Sequence, residues 1–311
     1  MTRVSVVIPT YNCAARLLHA LQSVLAQSYA HAAIEVVIVD DGSSDDTAER
    51  VAEFAARSSV PIQYVRQDNA GPAAARNHAL RLVRGDAIAF LDADDWWEPG
   101  KLEQQVALLG ADAGLVYCGN SFVDADGHEL DNYVREIPVH RGDILLPLFC
   151  DFFLLTSAVL LSTDVVARVG AFREDLPVGE DYEFFLRAAT VVGADCATQP
   201  LLVRCVRPDS LSRRDYALDA RVDIATFTQF LIDQPAFAAR HRDAIQQRLA
   251  TYHYDFGYRL LADGRRIEAI AELRQSLRTR TSAAALRTLT RALLAGVVPV
   301  SAPSRRAQDR F

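Results

Sequence analysis

Lysine is almost missing from this 311-residue chain: Lys101 stands alone, so cationic work falls to arginine. Cysteine is sparse and unpatterned, with Cys13, Cys118, Cys150, Cys196 and Cys205 scattered through apolar segments. An odd number without metal-ligand spacing reads as reduced core residues of a cytoplasmic chain. No apolar run approaches the ~20 residues that a spanning helix needs. The longest, residues 144–161, is broken by Pro147, Asp151, Thr156 and Ser157, and reads as buried core. The first strand pattern begins at Val4 without a charged-then-apolar leader, so no secretory signal is expected. Excess positive charge is lacking too: the formal charge of -7 argues against wholesale nucleic-acid binding. It is unevenly spread, since residues 241–311 hold 13 Arg against 6 Asp and Glu.

What is present is a core-forming chain, 50% hydrophobic, long enough for one large α/β domain and a smaller appendage. Short β-branched runs at Val4–Pro9, Ile34–Val39, Ile62–Val65 and Ala87–Leu91 alternate with helical periodicities at Leu17–Leu25, Thr47–Ala56 and Pro72–Val83. That alternation predicts right-handed crossovers and a mainly parallel sheet, whose strand C-termini share one edge. Polar clusters follow each of these strands: Thr10-Tyr11, Asp40-Asp41, Asn69 with Arg76, and Asp92-Ala93-Asp94-Asp95-Trp96-Trp97. Carboxylates two apart at a strand end are hard oxygen ligands for Mg2+ or Mn2+, usually completed by substrate phosphates. Taken singly, each cluster has a plainer reading: Asp94 and Asp95 as caps of a helix starting near Pro99, Ser44 or Asp45 as a cap, Arg76 as a solvated side chain. Further on, Gly114–Cys118 and Ser121–Gly127 are read as two strands with an Asp-Gly turn, Thr156–Leu161 as another strand, and Gly179 as opening a helix. Glu180 and Asp181 in that helix's first turn would at least favour its dipole.

The ordered set Val4–Asn12, Val39–Ser43, Ala74–Asn77, Phe90–Asp95 and Gly179-Glu180-Asp181 resembles the family 2 glycosyltransferases over residues 3–212. The resemblance implies a GT-A, Rossmann-like fold and sugar transfer, with anomeric inversion, from a UDP-, GDP- or dTDP-linked donor to a hydroxyl of a glycan or lipid-linked acceptor. It also implies a divalent cation, Mn2+ or Mg2+. Residue by residue, Pro9, Thr10 and Tyr11 would line the base pocket with Tyr11 stacking, and Asp40 would accept from a base N–H. Arg76 would reach the base or phosphates, Asp92 and Ala93 would lie near the ribose, and Asp94 would bind the metal. Asp181 would be the general base, with Glu180 as the alternative. Trp96 and Trp97 could present an apolar face to the acceptor, burial being the competing reading. Arg207 stands where many relatives carry His; an arginine cannot ligate metal, so direct contact with the diphosphate is expected instead. A sugar nucleotidyltransferase is the rival enzyme, but a Gly-rich loop would be expected where Pro9-Thr10-Tyr11-Asn12 stand. A non-catalytic nucleotide-binding or scaffold protein is the rival from another class.

From about Tyr216 strand patterns give way to helical ones. The expected division is a catalytic domain over 1–215, an all-α module over 216–298 and a frayed tail over 299–311. Residues 250–282 resemble one tetratricopeptide-like helical hairpin, which must pack on neighbouring helices, with self-association as an alternative. Leu286–Leu294 carries Arg287 and Arg291 opposite an apolar face. Inward packing is the preferred reading, and peripheral contact with the cytoplasmic face of an anionic membrane the alternative.

Overall fold

The computed structural model describes residues 1–124, 127–130, 138–206 and 215–294. The chain divides into two compact units, Met1–Ser210 and Leu211–Phe311. In the first, β1 (Val4–Thr10), β2 (Ile34–Asp40), β3 (Ile62–Arg66) and β4 (Ala87–Phe90) alternate with α1 (Ala14–Leu25), α2 (Thr47–Ala55) and α3 (Pro72–Leu80). Then follow β5 (Trp96–Trp97), α4 (Lys101–Leu108), β6 (Leu115–Val123), α5 (Leu145–Cys150), β7 (Leu160–Ser162), α6 (Thr163–Val169), α7 (Glu180–Ala189) and β8 (Ala194–Cys205).

These strands make one eight-stranded sheet in the order β3-β2-β1-β4-β7-β6-β8-β5. The β3-β2-β1-β4 half is parallel, and its register pairs Thr10 with Asp40 and Val7 with Phe90. β7 runs antiparallel to β4 and β6, so the sheet is mixed. Central strands read as unbroken apolar runs because both faces are covered. Val4, Val6 and Ile8 join one cluster with Leu17, Leu21 and Val24 of α1. On Phe90, an edge-on ring from Phe172 lies 5.6 Å away, and Phe172 stacks on Phe184 of α7 at 4.0 Å. Each such side chain contributes on the order of 1.5–3 kcal/mol of burial.

Two expectations change. The two strands expected over 114–127 are one strand, β6, kinked by a register shift at Cys118–Asn120 against parallel β8. The segment expected as a strand from Thr156 is a 3-10 turn over Thr156–Ala158, and β7 starts only at Leu160. Its carbonyls are diverted from any ladder: Ser157 accepts from the Trp97 indole and Ala158 from the Gln105 amide. β5, β8 and α5 carry no periodicity strong enough to be read from the sequence. At the expected Asp-Gly turn, Asp124 N–H bonds to the His128 carbonyl, while Asp126 lies outside the described residues.

The second unit is helical: α8 (Tyr216–Asp233), α9 (Pro235–Arg240), α10 (Arg242–Ala262), α11 (Arg266–Thr279) and α12 (Ala283–Leu294). α10 and α11 form the expected hairpin, since Ser276 donates to the Ala250 carbonyl and His253 meets Glu272 at 2.7 Å. α12 turns Ala285, Leu289 and Ala292 inward and leaves Leu286 and Leu294 exposed. Among the described residues no helix is long and apolar enough to cross a membrane. The proposed tail over 299–311 lies outside the described residues.

At the β6 kink, a Cβ on Gly119 would fall 2.5 Å from the Gln199 carbonyl oxygen, a backbone atom that cannot swing aside. Gly119→Ala should therefore lower stability by about 2 kcal/mol, read as a lower urea midpoint at unchanged slope.

Candidate active site

Parallel topology brings the C-terminal ends of β2, β1 and β4 side by side, so the loops after them form one edge. Behind that edge lies Arg76 of α3, only 5% exposed. Its Nη1 donates to Glu180 Oε1 at 2.6 Å and its Nη2 to Asp92 Oδ1 at 2.8 Å. One guanidinium thus joins α3, the end of β4 and the start of α7. The resemblance implied that Arg76 would reach a base or phosphates, and the plainer reading made it a solvated side chain; it is buried, and both terminal nitrogens hold carboxylates of the protein. Its Nε is buried without a partner among the described residues.

Glu180 and Asp181 are neighbours with different surroundings. Glu180 is buried against Arg76, whereas Asp181 accepts from the Thr156 hydroxyl at 3.0 Å and from the Tyr182 N–H at 2.8 Å. Burial and the adjacent Glu180 push the Asp181 carboxyl up to about 6, against the pull of Arg76 and the Thr156 hydrogen bond. Gly179, at φ 71°, makes the left-handed entry into α7 that sets this pair at the helix start.

The acidic loop after β4 is not a helix cap. α4 begins at Lys101 with Gly100 before it and no side-chain cap bond. Asp95 is buried, accepts from the Ser157 hydroxyl at 2.6 Å, and is pushed up to about 8 by burial, Asp92 and Asp94. Ser157 Oγ also accepts the Asp92 N–H at 3.0 Å. Asp92 and Asp94 are partly exposed and Ala93 is buried. The partly exposed carboxylates of Asp92 and Asp94 are hard oxygen donors whose chemistry fits a divalent cation completed by diphosphate oxygens, while Asp95 is turned to Ser157. Among the described residues there is no group of three or more Asp, Glu, His or Cys that could hold a metal ion.

On the β1–β2 side, Tyr11 is 53% exposed, Pro9 is partly buried, and Thr10 is buried with a hydroxyl that finds no partner among the described residues. Asp40 accepts from Ser43 N–H and Tyr64 O–H, and Asp41 from Gln67 and from the Ala70 and Gly71 N–H groups. Trp96 is partly exposed and stacks on His19 with ring centroids 4.4 Å apart. Trp97 corrects its expectation: at 2% exposure its indole donates to the Ser157 carbonyl, and Lys101 Nζ sits 4.0 Å over its ring, so no face is offered to a sugar. Arg207 lies outside the described residues. The sequence reading passed over Thr156 and Ser157 as site residues, although polar side chains inside a buried apolar run were the available signal.

With this geometry in view, the comparisons are consistent. A model of Glycosyl transferase family 2 matches residues 5–157. The succinoglycan biosynthesis protein ExoU of Rhizobium meliloti is 31% identical over 288 residues, covering 81% of this chain and 78% of that protein. An uncharacterized glycosyltransferase of Rickettsia conorii is 32% identical over 194 residues, 60% of this chain; the match spans only 31% of that relative's length. A mannosyltransferase from Pyrobaculum calidifontis, solved with GDP-Man and Mn2+, superposes with a TM-score of 0.64 at 23% identity, covering 99% of this chain and 82% of its own. The sheet and its flanking helices have the GT-A architecture. The chain belongs to glycosyltransferase family 2.

Removing Arg76 would leave Asp92 and Glu180 facing each other without a counter-charge. Arg76→Met is expected to cost about 3 kcal/mol or more of stability, visible as a lower denaturant midpoint, and Arg76→Lys to recover only part, because an ammonium cannot fork between two carboxylates.

Proposed function

We propose that the chain is an inverting, divalent-metal-dependent glycosyltransferase that moves one sugar from a nucleoside-diphosphate donor to an acceptor hydroxyl in the assembly of a bacterial surface polysaccharide. The observation that carries this reading is the division of labour between adjacent acids. Glu180 is neutralised by Arg76, while Asp181 is held by Thr156 with its carboxyl raised to about 6. A carboxylate with that affinity for protons, partly open to solvent, is suited to take a proton from an attacking hydroxyl.

In this reading Tyr11 stacks on the base, the orphan Thr10 hydroxyl gains a ligand partner, and Asp40 accepts from a base N–H through lone pairs left by Ser43 and Tyr64. Asp92 faces the ribose, its position set by Arg76 and Ser157. Asp94 holds the cation, which when bound neutralises charge on the leaving diphosphate. Asp181 accepts the hydroxyl proton as the new bond forms on the face of the anomeric carbon opposite the departing phosphate. Trp96, backed by His19, flanks the acceptor. Support for the donor class and the cation comes from the Pyrobaculum neighbour, and for the glycan from the succinoglycan relative. The cytoplasmic location and the domain limits at 215 and 298 belong to this proposal as well.

Titration calorimetry with UDP, GDP, dTDP and CMP, with and without Mn2+, tests the donor site. One nucleoside diphosphate should bind, more weakly without metal and in Asp94→Asn; binding by none of them would remove the reading. The general base must be ionised to act, so turnover should fall as pH drops through about 6. Asp181→Asn should lower turnover on the order of 10²–10⁴-fold while nucleotide affinity stays put; an unchanged rate would exclude Asp181 as the base.

A further inference from the structure

Two neighbouring hydroxyls reach in different directions from the 3-10 turn at Thr156–Ala158. Thr156 Oγ1 donates to Asp181 Oδ2 at 3.0 Å. Ser157 Oγ donates to Asp95 Oδ2 at 2.6 Å and accepts the Asp92 N–H at 3.0 Å. Both residues are buried, and the turn's own carbonyls are pinned from behind by Trp97 Nε1 at 2.9 Å and Gln105 Nε2 at 2.8 Å. Gln105 is itself braced by Lys101 Nζ at 2.6 Å and by its second bond to the Val116 carbonyl.

We infer that the Thr156–Ser157 turn is a positioning device that registers the Asp181 carboxylate against the acidic loop of Asp92–Asp95, Thr156 acting on the former and Ser157 on the latter. The inference rests on the reading of Asp181 as base and of the acidic loop as part of the donor site. A turn this short moves as one body, so the two carboxylate centres are held at one separation, and misplacement by even an ångström is costly to a displacement reaction. The buried Trp97, Gln105 and Lys101 then serve the reaction at a distance, by holding the turn. The groups facing Asp181 are Glu180 on its own helix, Arg76 from α3, the Tyr182 N–H and the Thr156 hydroxyl, of which only the last belongs to the turn.

The prediction is that neighbouring substitutions in the full chain move different readouts. Thr156→Val keeps the shape and deletes the donor. It should raise the midpoint of the Asp181 carboxyl, followed by carbon NMR, and slow release of nucleoside diphosphate from the matching sugar nucleotide about tenfold at neutral pH. Nucleotide affinity should not change, and Thr156→Ser should restore both readouts. Ser157→Ala, or Ser157→Cys should the alanine variant not fold, should instead weaken calorimetric binding of the nucleoside diphosphate with Mn2+ several-fold and leave the Asp181 midpoint in place. If the two substitutions shift both readouts alike, or Thr156→Val leaves the midpoint unmoved, the turn is merely packing and the inference falls. Slowing by Thr156→Val should also vanish in an Asp181→Asn background; additive losses would count against it. Full turnover in Asp181→Asn alone overturns the base assignment, whereas the NMR midpoints still report whether Thr156 holds that carboxyl.

Discussion

Placing one guanidinium between two carboxylates is the constraint on which the site depends. Arg76 leaves water almost entirely, at a desolvation cost of several kcal/mol, which its ion pairs with Asp92 and Glu180 and the nearby Asp181 charge offset. Because those carboxylates come from the end of β4 and the start of α7, the same ion pairs bind helix, strand end and helix into one geometry. Asp181 lies beside this knot with its carboxyl raised by burial and by the adjacent Glu180, against the pull of Arg76.

A second buried polar chain runs behind the acidic loop. Lys101 is fully buried, its amine lowered to about 8 by burial, and it lies between the Trp97 ring and Gln105. Gln105 and Trp97 pass that order to the Ser157 and Ala158 carbonyls. A polar network this deep is stable only if its members are satisfied, and satisfied networks specify one arrangement more sharply than apolar packing does. The chain's single lysine is thus spent in the core beneath the site rather than on the surface.

Much of the architecture was legible in the chain. β-branched runs alternating with helical periodicities foretold four parallel strands with a shared edge, since covered parallel strands must be continuously apolar and crossovers have one hand, whereas their order β3-β2-β1-β4 came from the packing. The α10–α11 hairpin was equally readable from its apolar spacing. The other half of the sheet was not. β8 is long but carries exposed Thr198, Gln199 and Pro200 in its middle, β5 is two residues, and the bulge at Gly119 breaks the alternation.

The identity of the acidic and aromatic residues along one sheet edge was determined by the sequence itself, because their positions after each strand follow from local pattern. Which of them are buried and which stay exposed was decided only in three dimensions. Arg76 reads as a first-turn surface arginine until Asp92 and Glu180, 16 and 104 residues away, close on it. Trp96 and Trp97 are indistinguishable in sequence, yet one is partly exposed against His19 and the other is buried under Lys101. Thr156 and Ser157 look like mere interruptions of an apolar run. Hydrogen bonds across such separations depend on how sheet and helices pack, and local propensity carries no record of that.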